Sequence, residues 1–308
     1  MDRLATASVK PSTYDTYHKV LINFRSFARE HSISSKLPIS TRNLGLFITD
    51  LNQKDYSYST IMGAVTAISF FHHKDDMRNP ADSDFIDKLL SGIKKLKPAV
   101  DGRKAVDIDI LESLLCNMNM LILTSYDFVL YRALFLFTYY GCLRVGEVTK
   151  SSAIENVIKF DQVSFTHVKG KMQSVTIKFM SYKHSDTVKS RGKQKSALPS
   201  MLFTKKPDKR LCPVRAVASY IKLRGNRDGQ FFINENGSGV TYNQFRSIMN
   251  QCLTKSDLSP KYFGTHSFRI GRCTDLHKAG FTKAQIKIMG RWKSNAFEKY
   301  IRPHIILV

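Results

Sequence analysis

Apolar residues recur three and four apart along most of the chain, the mark of helices with one buried face. The first hundred residues repeat this pattern four times. Ser12 or Thr13 opens a helix to about Glu30, with Tyr17, Val20, Leu21, Phe24 and Phe27 on one stripe. Ser40 or Thr41 opens a second through Leu44, Phe47, Ile48 and Leu51. Residues 57–60 open a third through Ile61, Ala64, Ala67, Ile68 and Phe71, and 82–95 form a fourth through Phe85, Leu89, Leu90 and Ile93. Hydroxyl residues at helix starts offer acceptors to the unpaired N–H groups there. Four short amphipathic helices with brief connections predict an all-α bundle.

Lys94, Lys95, Lys97, Arg103 and Lys104 bracket Pro98, Asp101 and Gly102, a basic and turn-rich stretch. It divides the chain into a helical module at 1–97, a linker at 98–105 and a second domain at 106–308. In that domain 108–118 and 126–140 read as helices, the latter apolar almost all round and therefore buried. Gly141 suits its end. From 158 the period changes to two. KFDQVSFTHV, SVTIKFMSYK and SALPSMLF read as strands, with a polar basic loop, KHSDTVKSRGKQK, between the last two. VRAVASYIKLRG is a helix, 231–233 a short strand and 242–253 another helix. The expected fold class is two-domain: a four-helix module, then a mainly α domain with a small antiparallel sheet (α+β).

The charge narrows the partners. Lys plus Arg is 48 against 25 acidic residues, a net charge of +23, which points to a polyanion, nucleic acid first and anionic membrane second. No apolar run approaches the ~18 residues of a membrane span, so no membrane role is expected. Five scattered cysteines form no CxxC pair, which implies a reducing compartment without a zinc site. Glycine-rich nucleotide loops and metal motifs are missing, so neither a metal nor a cofactor is expected.

The chemistry concentrates in GTHSFRIGRCTDLHKAGFTKAQIKIMGRWKSNAFEKYIRP, residues 264–303. Thr265 or Ser267 caps a helix that Gly280 ends; a second helix runs 282–289 to Gly290, and a third, 295–301, carries Tyr300. His266 and Arg269, at i and i+3, share a helix face and place a proton-transfer group beside a fixed cation. Upstream, GCLRVGE holds Arg144 three residues before Glu147. An arginine just past a buried helix is either bridged to a carboxylate such as Glu147 or held for a ligand anion.

This ordered set resembles the tyrosine recombinase (phage integrase-like) family, over nearly the whole chain. The family's G-x-R-x-x-E box matches Arg144 and Glu147, its H-x-x-R box His266 and Arg269, its His-or-Trp position Trp292, and its nucleophile Tyr300. Lys183 in MSYKHSD matches the family's strand lysine. GRWKSNAFEKYIRP is similar in wording to recombinases of eukaryotic elements of the Crypton and DIRS/Ngaro kinds. Tyr300 comes eight residues after Trp292, where many bacterial members have a step of nine.

The resemblance implies a core-binding module followed by a catalytic domain. It implies double-stranded DNA as partner, a homo-tetramer on two duplexes, and a nuclear location in a eukaryotic host. The reaction implied is strand cleavage through a 3′-phosphotyrosine. Arg144 and Arg269 would clamp the phosphate, His266 would move protons, Lys183 would protonate the leaving 5′-oxygen, Trp292 would donate or buttress, and Glu147 would orient. Lys94, Lys95, Lys97, Arg103 and Lys104 would lie along the DNA backbone. A type IB topoisomerase and a domesticated, non-catalytic DNA-binding protein are the alternatives. The apolar end, Ile305 to Val308, is expected to dock on a neighbouring copy.

Overall fold

A computed structural model describes residues 2–97, 102–121, 124–150, 157–180 and 200–302. They belong to two compact units, Met1–Asp101 and Gly102–Val308.

The first unit is helical. A short α1 (Asp2–Thr6) precedes α2 (Pro11–Glu30), α3 (Thr41–Gln53), α4 (Tyr58–Lys74) and α5 (Asp84–Leu96). Ser40 and Ser57 cap α3 and α4, accepting from Asn43 N–H and Thr60 N–H. Ser12 and Thr13 are no caps. The helix starts at Pro11, whose fixed φ suits a first turn, and Lys10 takes the cap position without a side-chain bond. In α5 the predicted stripe is rotated. Ser83 starts the helix, Ile86, Leu90 and Ile93 are buried, and Phe85 is 52% exposed. Both stripes have helical spacing, and one residue is 100° of turn.

Phe24 meets Phe47 edge-on at 5.4 Å, so α2 and α3 share an aromatic core. One imidazole lies in this core. His72 Nε2 accepts from Ile39 N–H at 2.9 Å. Its proton therefore sits on Nδ1, which donates to Ile68 O at 2.8 Å.

The second unit is built round α7 (Ser125–Tyr140), which has ten buried residues. Phe135 of α7 touches Phe245 and Phe268, and Phe137 stacks on Phe203 with centroids 4.0 Å apart. Around it lie α6 (Ile108–Asn117), α8 (Val145–Val148), α9 (Pro213–Arg224), α10 (Tyr242–Lys255), α11 (Ser267–Lys278) and α12 (Lys283–Met289), ending in a 3-10 helix, Asn295–Tyr300. The sheet is antiparallel, in the order β1 (Val163–Val168), β2 (Lys171–Lys178), β3 (Ser200–Thr204). Lys169 and Gly170, both with positive φ, turn β1 into β2, as a tight hairpin requires. Val163, Val175, Ile177 and Phe203 face the core.

Residues 231–233 are no strand. Gln230 and Ile233 make only isolated bridges. The carbonyls there are already taken: Arg224 binds those of Gln230 and Phe231, and the Tyr220 hydroxyl is 3.3 Å from that of Ile233. The predicted basic loop after β2 lies outside the described residues.

Gly271 lets the chain cross α11. A Cβ there would stand 1.7 Å from Val106 O. The crossing is stitched by Lys104 N–H to Tyr262 O at 2.7 Å and Val106 N–H to Ser267 O at 2.9 Å. Ile108 N–H then donates to Asp275 Oδ2 at 2.8 Å.

Candidate active site

Three helix ends meet in the second unit: the C-terminus of α7, the N-terminus of α11 and the C-terminus of α12. At the first, the left-handed conformation falls on Cys142 (φ 44°), not on Gly141. That turn delivers Arg144 to the N-terminus of α8. Glu147 Oε2 accepts from Arg144 N–H at 2.8 Å, and Oε1 lies 3.3 Å from the guanidinium. Arg144 is therefore bridged to Glu147 and keeps 19% of its side chain accessible.

His266 stands just before α11, and its first turn is set by backbone. Ser267 is buried inside that turn and accepts from Gly264 N–H at 3.0 Å, so neither it nor Thr265 caps the helix. Arg269, 1% exposed, donates to the carbonyls of Cys142 and Gly290. It thereby ties the ends of α7 and α12 together. Burial pushes its pKa below the ordinary value, with Arg144 and Arg291 acting in the same direction against Cys142 and Glu147. A guanidinium stays charged through such shifts.

The end of α12 repeats the first. Gly290 has φ −88°, and the left-handed residue is Arg291 (φ 57°). Glycine is needed for space: a Cβ at 290 would stand 1.5 Å from a ring carbon of Trp292. The indole in turn covers Arg269, whose guanidinium lies 4.3 Å from the ring centre.

Tyr300 closes the group. Its ring is 5.7 Å from that of Trp292 and stacked at 6.3 Å on that of His266. The segment is 3-10 rather than α-helical, held down by buried Phe297 and by Lys283 on Glu298 at 3.3 Å. At about three residues per turn, a 3-10 winding extends farther per residue than an α-helix. That gives the short Trp292–Tyr300 spacing its reach.

The structure thus gathers Arg144, Glu147, His266, Arg269, Trp292 and Tyr300. Lys183 lies outside the described residues, as do Pro98 and the tail from Pro303. Lys94, Lys95 and Lys97 belong to the end of the first unit. Lys97 is engaged there, 2.8 Å from Asp55 Oδ1 and 3.0 Å from Asn52 O. Arg103 and Lys104 begin the second unit, where Lys104 packs over Tyr262.

Sequence reading missed Arg291. Only 8% exposed, it donates to Glu147 Oε2 at 2.8 Å, so one buried carboxylate serves two arginines. Among the described residues of this cluster, three guanidiniums face one carboxylate, which leaves it positive. Also unexpected is the meeting of Cys142 and Cys273, both buried, in the small apolar cluster beneath Trp292 and Tyr300. Hydrogen bonding from Cys273 pulls the Cys142 thiol below its ordinary pKa, against the effect of burial.

No protein-family model matches the sequence, and no curated protein matches it. Solved structures do. The Tn1549 transposon integrase in complex with circular intermediate DNA superposes with a TM-score of 0.61 at 14% identity, covering 97% of this chain and 92% of that one. The XerH site-specific recombinase bound to difH in a pre-cleavage complex gives 0.62 at 15% identity, covering 96% and 76%. At such identities the likeness is one of architecture, and it spans both units: a helical module followed by a mainly helical domain with a small antiparallel sheet, the tyrosine recombinase fold.

Proposed function

We propose that the chain is a site-specific tyrosine recombinase that excises and integrates a mobile element, of the Crypton or DIRS/Ngaro kind. The observation that carries the proposal is Tyr300, stacked on His266 and beside Trp292, whose indole covers the buried Arg269, while Arg144 is bridged to the buried Glu147. The net charge of +23 and the DNA complexes of the two structural neighbours support a DNA partner.

In this reading Tyr300 Oη attacks the scissile phosphorus. The Oη–P bond forms, the bond from phosphorus to the 5′-oxygen breaks, and a 3′-phosphotyrosine remains. His266 takes the phenolic proton. Lys183, assigned from the family pattern, protonates the departing 5′-oxygen. Arg144 offers its exposed guanidinium edge to the non-bridging oxygens, on which negative charge builds in the transition state. Arg269 has five N–H donors, two of them on carbonyls, and its share of the clamp depends on displacing the Trp292 ring that covers it. The 5′-hydroxyl of a second strand reverses the step. The phosphotyrosine conserves the energy of the broken diester, so the reaction as proposed calls for neither ATP nor a metal.

Lys94, Lys95, Arg103 and Lys104 would contact DNA phosphates, the two units would close on the duplex about the 98–105 linker, and four copies would join two duplexes. In a eukaryotic host the site of action would be the nucleus.

The test is a suicide duplex carrying the element's terminus and a nick next to the cleavage position. We expect a protease-sensitive covalent adduct with the native chain, none with Tyr300→Phe, and strand exchange when a second duplex is added. An adduct with Tyr300→Phe would reassign the nucleophile. Relaxation of supercoils without exchange would favour a topoisomerase, and DNA binding with no adduct a non-catalytic binder.

A further inference from the structure

Behind the arginine cluster, a cavity of about 340 Å³ opens between β3 and α12. Arg144, His266, Trp292 and Tyr300 do not line it, and Arg291 is the wall it shares with the candidate site. Among the described residues its other cations are Lys206 and Arg272, and no acidic one lines it. The nearby carboxylates are committed elsewhere. Glu147 holds Arg144 and Arg291, and Asp275 accepts from the Tyr139 hydroxyl and Ile108 N–H.

Arg272 lies over the rings of Tyr139 and Tyr140, 5.4 and 5.1 Å from their centres. Lys206 stands 5.5 Å from the centre of the Tyr140 ring. Aromatic faces attract cations without neutralising them. The Nε atoms of both Arg272 and Arg291 are buried without a hydrogen-bond partner, and a buried donor left unpaired is costly. The remaining wall is mostly apolar and includes Met201, Met289 and Ile288, the last 75% exposed, with Ser200 and Thr204 as its neutral polar members. Thioether side chains adapt their shape to what they enclose.

Converging cations with unused donors, set in an adaptable apolar wall, define what fits. The size falls at the lower end of small-molecule sites, which run from about 300 to 1,000 Å³. We infer that this cavity binds a free organic anion, a carboxylate or sulfonate carried on an aromatic or branched apolar body. The acid group answers Arg272 and Lys206, and the body covers Met201 and Met289. Binding needs neither DNA nor Tyr300, so it stands or falls apart from the recombinase reading.

The probe is 8-anilinonaphthalene-1-sulfonate, titrated by fluorescence into the full chain beside its uncharged counterpart N-phenyl-1-naphthylamine. We expect one saturable sulfonate site, with the anion preferred by about tenfold or more. Arg272→Met keeps a long apolar side chain and removes the charge. It should weaken the sulfonate by about tenfold and leave the neutral dye unchanged. Ile288→Glu lies at an exposed position where folding is not at stake, and it should repel the sulfonate by about fivefold. Should Arg272→Met fail to fold, Ile288→Glu carries the test. Non-saturating binding, equal affinity for the two dyes, or wild-type sulfonate affinity in Ile288→Glu would each overturn the inference.

Discussion

Arg224 and Arg291 are both buried, and both stand where a helix ends, yet they hold different things. Arg224 gives its donors to the carbonyls of Gly225, Gln230 and Phe231, at 2.8 to 2.9 Å, and packs over Phe160. Every acceptor is backbone within seven residues, so the arginine closes its own loop. Arg291 binds a side chain 144 positions away, Glu147, which also orients Arg144. An arginine satisfied by local backbone is part of the scaffold. One that shares a carboxylate with a second arginine carries information between distant segments.

The largest effect should come from breaking that sharing. Glu147→Gln strands the Arg291 charge in a place where both partners are 4% exposed, and loss of one member of a buried pair costs about 3–5 kcal/mol. Chemical denaturation of Glu147→Gln, Arg291→Met and the double variant should show strong coupling, the double recovering part of the loss. Additive costs would show that the two residues do not act as a pair.

Next comes Arg144→Lys. An ammonium cannot reproduce a two-pronged clamp, and covalent trapping on the suicide duplex should slow by about 10²–10³-fold while the melting temperature barely moves. Near-normal trapping would remove Arg144 from the site.

Arg224→Met supplies the converse. It should cost about 2–3 kcal/mol of stability, because three carbonyls lose their bond to the guanidinium, and leave trapping per folded molecule unchanged. A specific loss of trapping would erase the contrast between the two arginines. The mildest change is Gly290→Ala. The chain has a single tryptophan, so displacement of Trp292 should appear as a shift in intrinsic emission, at a cost of about 1–3 kcal/mol. An unchanged spectrum would mean that the ring is not held by the glycine.

How legible each part was depended on how local its cause is. Ser40 and Ser57 cap helices because their partners lie three residues away, and sequence shows that distance directly. His266, Arg269, Trp292 and Tyr300 were readable as a set because their order matches a family pattern. Phe85 was misplaced because Phe85 and Ile86 begin equally good stripes, and only the packing of the other helices chooses between them. The strand expected at 231–233 failed for a tertiary reason, since Arg224 takes the Gln230 and Phe231 carbonyls and the Tyr220 hydroxyl accepts the Ile233 N–H that a sheet would need. Arg291 gave no sequence signal. Its left-handed backbone and its partner at 147 both depend on how α12 meets α8.

The crossing at Gly271 has a mechanical meaning. The backbone from Lys104 to Ile108 is fastened at three points to α11 and the turn before it. Tension on the chain at residue 104 is therefore borne by the element that carries His266 and Arg269, with no slack loop between. A tether of this kind works like a bowstring tied directly to the trigger. Any pull arriving from upstream loads the turn at Tyr262 first and then α11, which Arg269 joins to the ends of α7 and α12.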